Sequence, residues 1–270
     1  MGSFTGQALK DVYKDILQTD NSNSGISTTI KQIKTGDADG TSLYLSNRNA
    51  KIQPAADSTT NTVIYDKDGN ALVTVDSTND LVKAGVGQHT INSQFITFGM
   101  FDFTPIAGSH YMMISSPVMY ESSVWSDAVN SSVWGGTGTN PSTSLTLASN
   151  ALNLIPCIWL LQQNITIDEI QYLITAEGST TVNIHVMSYS MVTGSGSTAG
   201  DLTSGAVIAQ TGSADDNLSP VTVDDARASN GTLTINTADV DDTKAIFVFF
   251  ENVGSTVDVT TQVNIKYHLR

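Results

Sequence analysis

Two short acidic segments have the residue spacing that opens a calcium-binding loop of the EF-hand type. Residues 37–40 read Asp-Ala-Asp-Gly, and residues 66–69 read Asp-Lys-Asp-Gly. The twelfth position of such a loop is a glutamate that binds the ion through both carboxylate oxygens. Those positions hold Arg48 and Ser77 in this chain. The pattern therefore favours tight turns at both segments and predicts no metal ligand in either.

The four histidines do not have a spacing typical of zinc sites. His89, His110, His185 and His268 stand far apart, and none belongs to an HxxxH or HExxH motif. The chain has no Gly-x-Ser-x-Gly segment, and the single cysteine, Cys157, lies in an apolar run where a buried, inert thiol is expected. We therefore predict no catalytic residue, no metal ligand and no cofactor, and a protein that is not an enzyme.

Other carboxylates leave two alternatives open. Three aspartate pairs, at 215–216, 224–225 and 241–242, would gather a divalent cation if their loops converged, although paired carboxylates in loops are more often solvated. Asp168 or Glu169 would serve as the acid or base of a glycosidase only if a second carboxylate stood at the correct separation. The sequence does not place these groups relative to one another, so both alternatives stay open here.

One segment rich in polar residues contains three aromatic residues. Ser122-Ser-Val-Trp125 recurs as Ser131-Ser-Val-Trp134, and Tyr120 stands just before the first copy. Aromatic rings flanked by hydroxyl groups stack on sugar faces or anchor partner proteins. Burial of the rings under their own loop or in a subunit interface is the favoured alternative. If the protein contacts a receptor, Tyr120, Trp125 and Trp134 are the candidates.

The composition excludes several kinds of partner. The 270 residues include 26 acidic and 12 basic side chains, which gives a net charge of −14. Nucleic acid is bound mainly by clustered lysine and arginine, so we predict no nucleic-acid partner. The longest apolar runs fall well short of the about 20 residues that cross a bilayer, and the first residues lack the pattern of an export signal. We expect no membrane insertion and a soluble protein made inside a cell.

The basic residues are concentrated near the N-terminus. Eight of the twelve stand in the first 83 positions, and residues 84–226 contain neither lysine nor arginine. The change in composition falls at residues 83–87, Lys-Ala-Gly-Val-Gly, a glycine-rich stretch that is typical of a linker. We therefore predict an N-terminal region, residues 1–87, and a distal region, residues 88–270.

The N-terminal region is predicted to contain one short helix and five short strands. The helix has a single apolar stripe formed by Leu9, Val12, Tyr13, Ile16 and Leu17. The strands are expected at residues 28–33, 42–46, 50–53, 62–65 and 71–75, with a hairpin turn at residues 66–70. So few apolar residues bury little surface in one chain, which indicates that this region oligomerises or attaches to a larger assembly through the helical stripe.

The distal region reads as strands throughout. Ten are predicted, at residues 94–103, 111–115, 144–148, 155–161, 171–176, 180–189, 206–210, 231–236, 245–251 and 257–268. Short strands at this spacing predict a jelly-roll-like β-sandwich, so the whole chain is expected to be mainly β. Residues 245–250 are apolar on both faces, which places that strand centrally or against a neighbouring subunit. Long loops are expected at 121–143, 193–205 and 211–227.

The order of these segments resembles a known class of protein. Four segments are similar to the N-terminal region of virion appendage proteins of tailed, particularly marine, bacteriophages: residues 6–17, 20–25, 41–46 and 62–76. The last of them reads Thr-Val-Ile-Tyr-Asp-Lys-Asp-Gly-Asn-Ala-Leu-Val-Thr-Val-Asp. The resemblance implies a homotrimer that is assembled in the host cytoplasm and located in the virion. It also implies other virion proteins, of the tail or the capsid, as partners.

The hypothesis from sequence is therefore a bacteriophage structural protein of the fibre or appendage type. Residues 1–87 would attach to the particle and trimerise, and residues 88–270 would face the host, with a host-surface glycan as a further partner. Two alternatives stay open: a cement protein that decorates the capsid, and a carbohydrate-binding or glycan-cleaving module.

Overall fold

The computed structural model describes residues 17–19, 25–115, 139–145, 157–193, 200–212 and 219–270. The regular structure in these ranges consists of β-strands, and they contain no α-helix. The prediction of a mainly β protein is confirmed. The predicted helix, with Leu9, Val12, Tyr13 and Ile16, lies outside the described residues, except for Leu17. Leu17 is not helical; it precedes the first strand, and 64% of its surface is exposed.

The chain divides into two compact units, a first unit from Met1 to Asn92 and a second unit from Ser93 to Arg270. The stretch 83–87, predicted to be a linker, is instead the end of one strand and part of a turn. Gly85 supplies the positive φ of that turn, and its carbonyl accepts a hydrogen bond from the Gln88 N–H. Two glycines close together in the sequence, such as Gly85 and Gly87, are as typical of a hairpin as of a linker.

The first unit consists of two antiparallel four-stranded sheets whose strands follow one another in sequence order. The strands of one sheet are β1 (Gln18–Thr19), β2 (Lys31–Lys34), β3 (Gly40–Leu45) and β4 (Ala50–Ile52). The strands of the other are β5 (Thr62–Tyr65), β6 (Ala71–Asp76), β7 (Leu81–Ala84) and β8 (His89–Thr90). Strands β1, β7 and β8 were not predicted from the sequence.

The turn between β5 and β6 confirms the predicted hairpin. Asp66 Oδ1 accepts hydrogen bonds from the N–H groups of Asp68, at 2.9 Å, and Asn70, at 2.8 Å. Gly69 has φ +84°, which this turn requires. The Asn70 side-chain amide also donates to Asp66 Oδ2 at 2.9 Å, and this bond, followed by the backbone hydrogen bonds, lowers the pKa of Asp66. The Asp-Lys-Asp-Gly segment therefore orders a turn, as predicted.

The first unit has almost no apolar core. Among its described residues, Ile33 is the single buried hydrophobic side chain. Large apolar side chains elsewhere in the unit stand in solvent, including Leu43, Ile52, Ile64 and Tyr65. Small sheets that bury so few apolar side chains are only marginally stable on their own.

The second unit contains two larger antiparallel sheets. The seven-stranded sheet contains β10 (His110–Met112), β11 (Trp159–Leu160), β13 (Thr180–Met191), β14 (Leu202–Gln210), β15 (Val221–Val223), β17 (Thr234–Ile235) and β19 (Lys244–Asn252). The five-stranded sheet contains β9 (Ser93–Phe103), β12 (Ile165–Ala176), β16 (Ala228–Thr232), β18 (Asp239–Val240) and β20 (Val259–Leu269). Their buried apolar side chains form one continuous core.

Strand β19 lies at the centre of this core. It pairs with β13 on one side and with β10 and β11 on the other, and eight of its nine residues are buried. This confirms the prediction that a strand apolar on both faces is central. Strand β12 begins at Ile165, six residues earlier than predicted, because a bulge between Ile167 and Glu169 takes the charged Asp168-Glu169 pair into the strand.

The carboxylate of Asp76 connects the end of β6 to the turn that follows and to β7. It accepts hydrogen bonds from the N–H and side-chain amide of Asn79 and pairs with Lys83 Nζ at 3.0 Å. These interactions, with the Asn79 side chain contributing most, lower the pKa of Asp76 from 3.8 to about 2. The folded chain therefore keeps this carboxylate charged at a pH at which the unfolded chain binds a proton.

We predict that Asp76 makes the stability of the chain depend on pH between about 4 and 2. Its contribution is present in full above pH 4 and is lost as the pH falls through the folded pKa. Denaturant unfolding at a series of pH values should show this loss in the wild type and a flatter profile in Asp76→Asn. Asp68→Asn, in the exposed turn, is the control and should keep the wild-type slope. Equal slopes in wild type and Asp76→Asn would contradict the prediction.

Candidate functional site

Most of the site residues predicted from sequence lie outside the described residues. This holds for the receptor candidates Tyr120, Trp125 and Trp134, and for the helical stripe except Leu17. Within the described residues, two other places in the second unit gather polar side chains. One is a buried cluster in the seven-stranded sheet, and the other is an open cleft beside β11.

The buried cluster consists of His110, His185 and Glu251, which come from strands β10, β13 and β19. His110 stands directly opposite Glu251 in the ladder, and Glu251 stands opposite Asn183, two residues before His185. Since residues two apart in a strand share a face, these side chains project from the same side of the sheet. The antiparallel register therefore brings together residues that are distant in sequence.

The three side chains are close enough to share a ligand. His110 Nε2 lies 3.7 Å from Glu251 Oε2, and the two imidazole rings are 5.1 Å apart between centroids. One nitrogen of each histidine and one carboxylate oxygen all lie within 4.8 Å of one another. We call this group the His–His–Glu cluster.

Burial determines the charge state of His185. Both imidazoles are fully buried, and Glu251 is 6% exposed. Loss of solvation, with a smaller effect from the neighbouring His110, lowers the pKa of His185 from 6.5 to about 3. His185 is therefore neutral at ordinary pH, and one of its ring nitrogens carries a lone pair.

Neighbouring polar side chains hold Glu251 in place. The side-chain amide of Asn183 donates a hydrogen bond of 2.8 Å to Glu251 Oε2. The Thr211 hydroxyl lies 3.5 Å from Asn183 Oδ1 and accepts a hydrogen bond from the N–H of Ile184. A buried carboxylate with a fixed donor keeps one orientation.

Two side chains in this group have polar atoms that no hydrogen bond satisfies. Among the described residues, neither ring nitrogen of His185 has a hydrogen-bond partner, and neither do the side-chain oxygen and nitrogen of Gln210. Gln210 is fully buried and stands opposite His185 on β14. Each buried polar group without a partner costs about 1–3 kcal/mol. Four such atoms in one place indicate that a ligand or water completes the network.

The cluster has the chemistry of a metal centre. Neutral imidazole nitrogens together with one carboxylate oxygen are typical ligands of zinc and related divalent ions. Sequence spacing gave no indication of it, because its members belong to three strands. The one local signal is strand β13 itself, in which Asn183 and His185 alternate with Val182, Ile184 and Val186 in a strand that is buried on both faces.

The open cleft is lined by aromatic and amide side chains. Its volume is about 420 Å³, and Trp159, Tyr267, Gln94, Gln162 and Gln163 are among the lining residues. The rings of Trp159 and Tyr267 lie 4.8 Å apart at an angle of 55°. The Tyr267 hydroxyl donates to Gln94 Oε1 at 2.8 Å, and partial burial raises the pKa of Tyr267.

Two further sets of carboxylates lie in the second unit. Asp168 Oδ1 lies 2.9 Å from His268 Nδ1, so this aspartate is paired with a histidine. Asp102, Glu177 and Asp258 form a mostly exposed group whose oxygens lie within 4.8 Å of one another. Exposed acidic groups of this kind are usually solvated, and we assign no site to them.

Comparisons with known proteins identify no family. No protein-family model matches the chain, and no curated protein matches it. The solved structures similar to it include an α-amino acid ester hydrolase labelled with selenomethionine, at 9% identity and a TM-score of 0.27. That match covers 65% of this chain and 32% of the hydrolase, so the chain spans about a third of its length. At this level the similarity carries no argument about fold or activity.

Within the described part of the chain, no helix has the length and the apolar character that a membrane span needs.

Proposed function

We propose that this chain is a structural protein of a tailed-bacteriophage virion, of the fibre or appendage type. Its N-terminal region attaches to the particle as a homotrimer, and its distal region presents a β-sandwich to the host surface. The resemblance to the N-terminal regions of such proteins, in residues 6–17, 20–25, 41–46 and 62–76, supports this proposal. The protein has no catalytic role in it, and its place is the virion.

The observation that carries the proposal is the difference in core between the two units. Among the described residues, every buried hydrophobic side chain except Ile33 belongs to the second unit. We infer that the described strands of the first unit gain most of their stability from a surface beyond themselves, and in this proposal other copies of the chain or the particle supply it. A region that attaches and oligomerises has this property, and an independently folded domain does not.

The exposed apolar faces of the first unit suit packing between copies. The β3–β4 register puts Leu43 and Ile52 on one face of the first sheet. The β5–β6–β7 register puts Ile64, Val73 and Ala84 on one face of the second. Ile64 is 55% exposed there. Apolar sheet faces of this kind are stabilised when another copy of the chain covers them.

The charge distribution supports the same arrangement. The first unit has eight basic and ten acidic side chains, whereas the second has four basic and sixteen acidic ones. Copies of the nearly neutral first unit repel one another little. The strongly acidic second unit keeps the distal parts soluble and apart at a high local copy number.

The distal fold we propose is a jelly-roll-like sandwich. Support comes from the chain path, because β12 and β13 belong to different sheets and so do β19 and β20. Consecutive strands that alternate between two sheets with a shared core are typical of sandwich folds.

We predict that the full chain is a trimer in solution, with three times the monomer mass of 28.6 kDa by size exclusion with light scattering. Ile64→Glu should weaken the trimer at least about tenfold, because it would bury a charge in an apolar interface. Thr59→Glu adds the same charge at an exposed position of the same unit and should leave the trimer intact. A wild-type monomer at micromolar concentration would refute the trimer.

The location of the protein is tested on particles. We expect virions purified from infected cells to contain the chain, and a label on its C-terminus to appear at the outer end of an appendage in electron micrographs. Label spread evenly over the capsid in hundreds of copies would support the cement protein instead. Particles without the chain would refute a virion role altogether.

The cleft beside β11 favours one further activity, binding of a host-surface glycan. Trp159 and Tyr267 offer ring faces for a sugar, and the three glutamines offer donors and acceptors for its hydroxyl groups. This combination is how proteins bind neutral sugars. The cleft lies wholly in the second unit, which the proposal assigns to the host side.

We predict that Trp159→Ala weakens binding to host-cell polysaccharide about tenfold, the value of one lost stacking contact. Binding of fluorescent full-length protein to extracted polysaccharide is the measurement. Trp125→Ala tests the rival segment, and if receptor contact lies in the cleft it should bind like the wild type. Loss of binding in Trp125→Ala alone would move receptor contact from the cleft to the segment predicted from sequence.

A further inference from the structure

We propose that His110, His185 and Glu251 bind one divalent transition-metal ion, of which Zn²⁺ is the best fit, and that this ion joins strands β10, β13 and β19. The site is structural, and it goes beyond the proposed virion role. It concerns the stability of the second unit and would exist whether or not the chain belongs to a phage.

The distances between the ligand atoms of the cluster are slightly longer than those around a bound ion, so small side-chain movements would close the site. Zinc binds histidine nitrogen and carboxylate oxygen at about 2.0–2.2 Å, so ligand atoms around one tetrahedral ion lie about 3.3 Å apart. In the cluster they lie within 4.8 Å of one another, and the His110 Nε2 to Glu251 Oε2 distance is 3.7 Å. Rotations of side chains on fixed strands cover this difference.

The donor set selects the kind of metal. Two imidazoles and one carboxylate favour zinc and similar first-row ions over Ca²⁺ and Mg²⁺, which prefer sites made of oxygen ligands alone. His185 is fully buried with no hydrogen bond from the described residues to either ring nitrogen. One of these nitrogens would bind the metal ion.

The groups around the cluster have the roles that metal centres need. The Asn183 amide fixes one oxygen of Glu251, as donors beside metal-binding carboxylates commonly do. Gln210 stands next to His185 in the ladder with both polar side-chain atoms lacking a partner among the described residues. Its amide is suited to hold a water molecule that would serve as the fourth ligand.

The position of the cluster explains what an ion would do. Strand β10 has three residues and comes first in the sheet order β10-β19-β13-β14-β17. Strands β13 and β19 are long and lie inside this order. An ion bound to all three strands would fasten the short outer strand to the centre. The full burial of both imidazoles excludes substrate from the ion, so we infer a stabilising role rather than a catalytic one.

Another buried histidine, His268, provides a comparison for the His–His–Glu cluster. His268 is also buried and pairs with a carboxylate, Asp168, at 2.9 Å. Among the described residues it belongs to no group of three metal-binding side chains. His268→Gln is therefore the matched control for His185→Gln: the same substitution at a buried histidine with a carboxylate nearby.

The experiment uses the full chain without a polyhistidine tag. The protein is unfolded with a chelator, refolded with or without Zn²⁺, and freed of loose metal by gel filtration. We expect one equivalent of zinc per chain by mass spectrometry of the metal. We also expect a melting temperature about 5–10 °C higher than that of the metal-free form. Refolding with Co²⁺ should give the visible absorption of a cobalt ion with nitrogen and oxygen ligands.

The variants assign the ion to the cluster. His185→Gln and Glu251→Gln should each lose the bound zinc and the rise in melting temperature, whereas His268→Gln should keep both. Zinc retained in His185→Gln, or lost in His268→Gln, would overturn the assignment. If His185→Gln does not fold, the wild type decides: no bound zinc and an unchanged melting temperature after refolding with Zn²⁺ would refute the proposal.

Discussion

The structure of the second unit depends on the burial of β19 on both faces. A strand with Phe247, Phe249 and Phe250 must lie inside a sheet and between other layers, because each exposed ring would cost the free energy of hydrating a large apolar surface. Strand β13 pairs with β19 from Val182 to Ser190 and is buried almost as completely. The other strands of this unit are arranged around this pair.

The same burial makes the polar end of these strands exceptional. Asn183, His185 and Glu251 lie in buried parts of these strands, so their side chains are in an environment of low dielectric constant where polar atoms need partners. Asn183 and Glu251 satisfy each other. His185 and Gln210 are not satisfied within the described part of the chain. The metal centre that we infer is a consequence of this imbalance.

The first unit shows the opposite condition. Its strands are short, and its apolar side chains are mostly half-exposed or exposed. Local hydrogen bonds such as those of Asp66 and Asp76 define its turns but do not replace a core. The sparse core of its described strands is one of the observations from which we propose that this region depends on a neighbour. It is also the property by which an attachment region would couple folding to assembly.

The sequence by itself determined the mainly β class, the hairpin at Asp66 to Asn70 and the central position of β19, because each follows from residues adjacent in the chain. It did not predict β7 and β8, since a glycine-rich hairpin and a linker have the same local composition. It also placed the start of β12 too late, because the bulge at Asp168 breaks the alternation. The His–His–Glu cluster was decided by tertiary structure alone. Only the register of three antiparallel strands brings His110, His185 and Glu251 to one face, and register depends on pairing between distant segments.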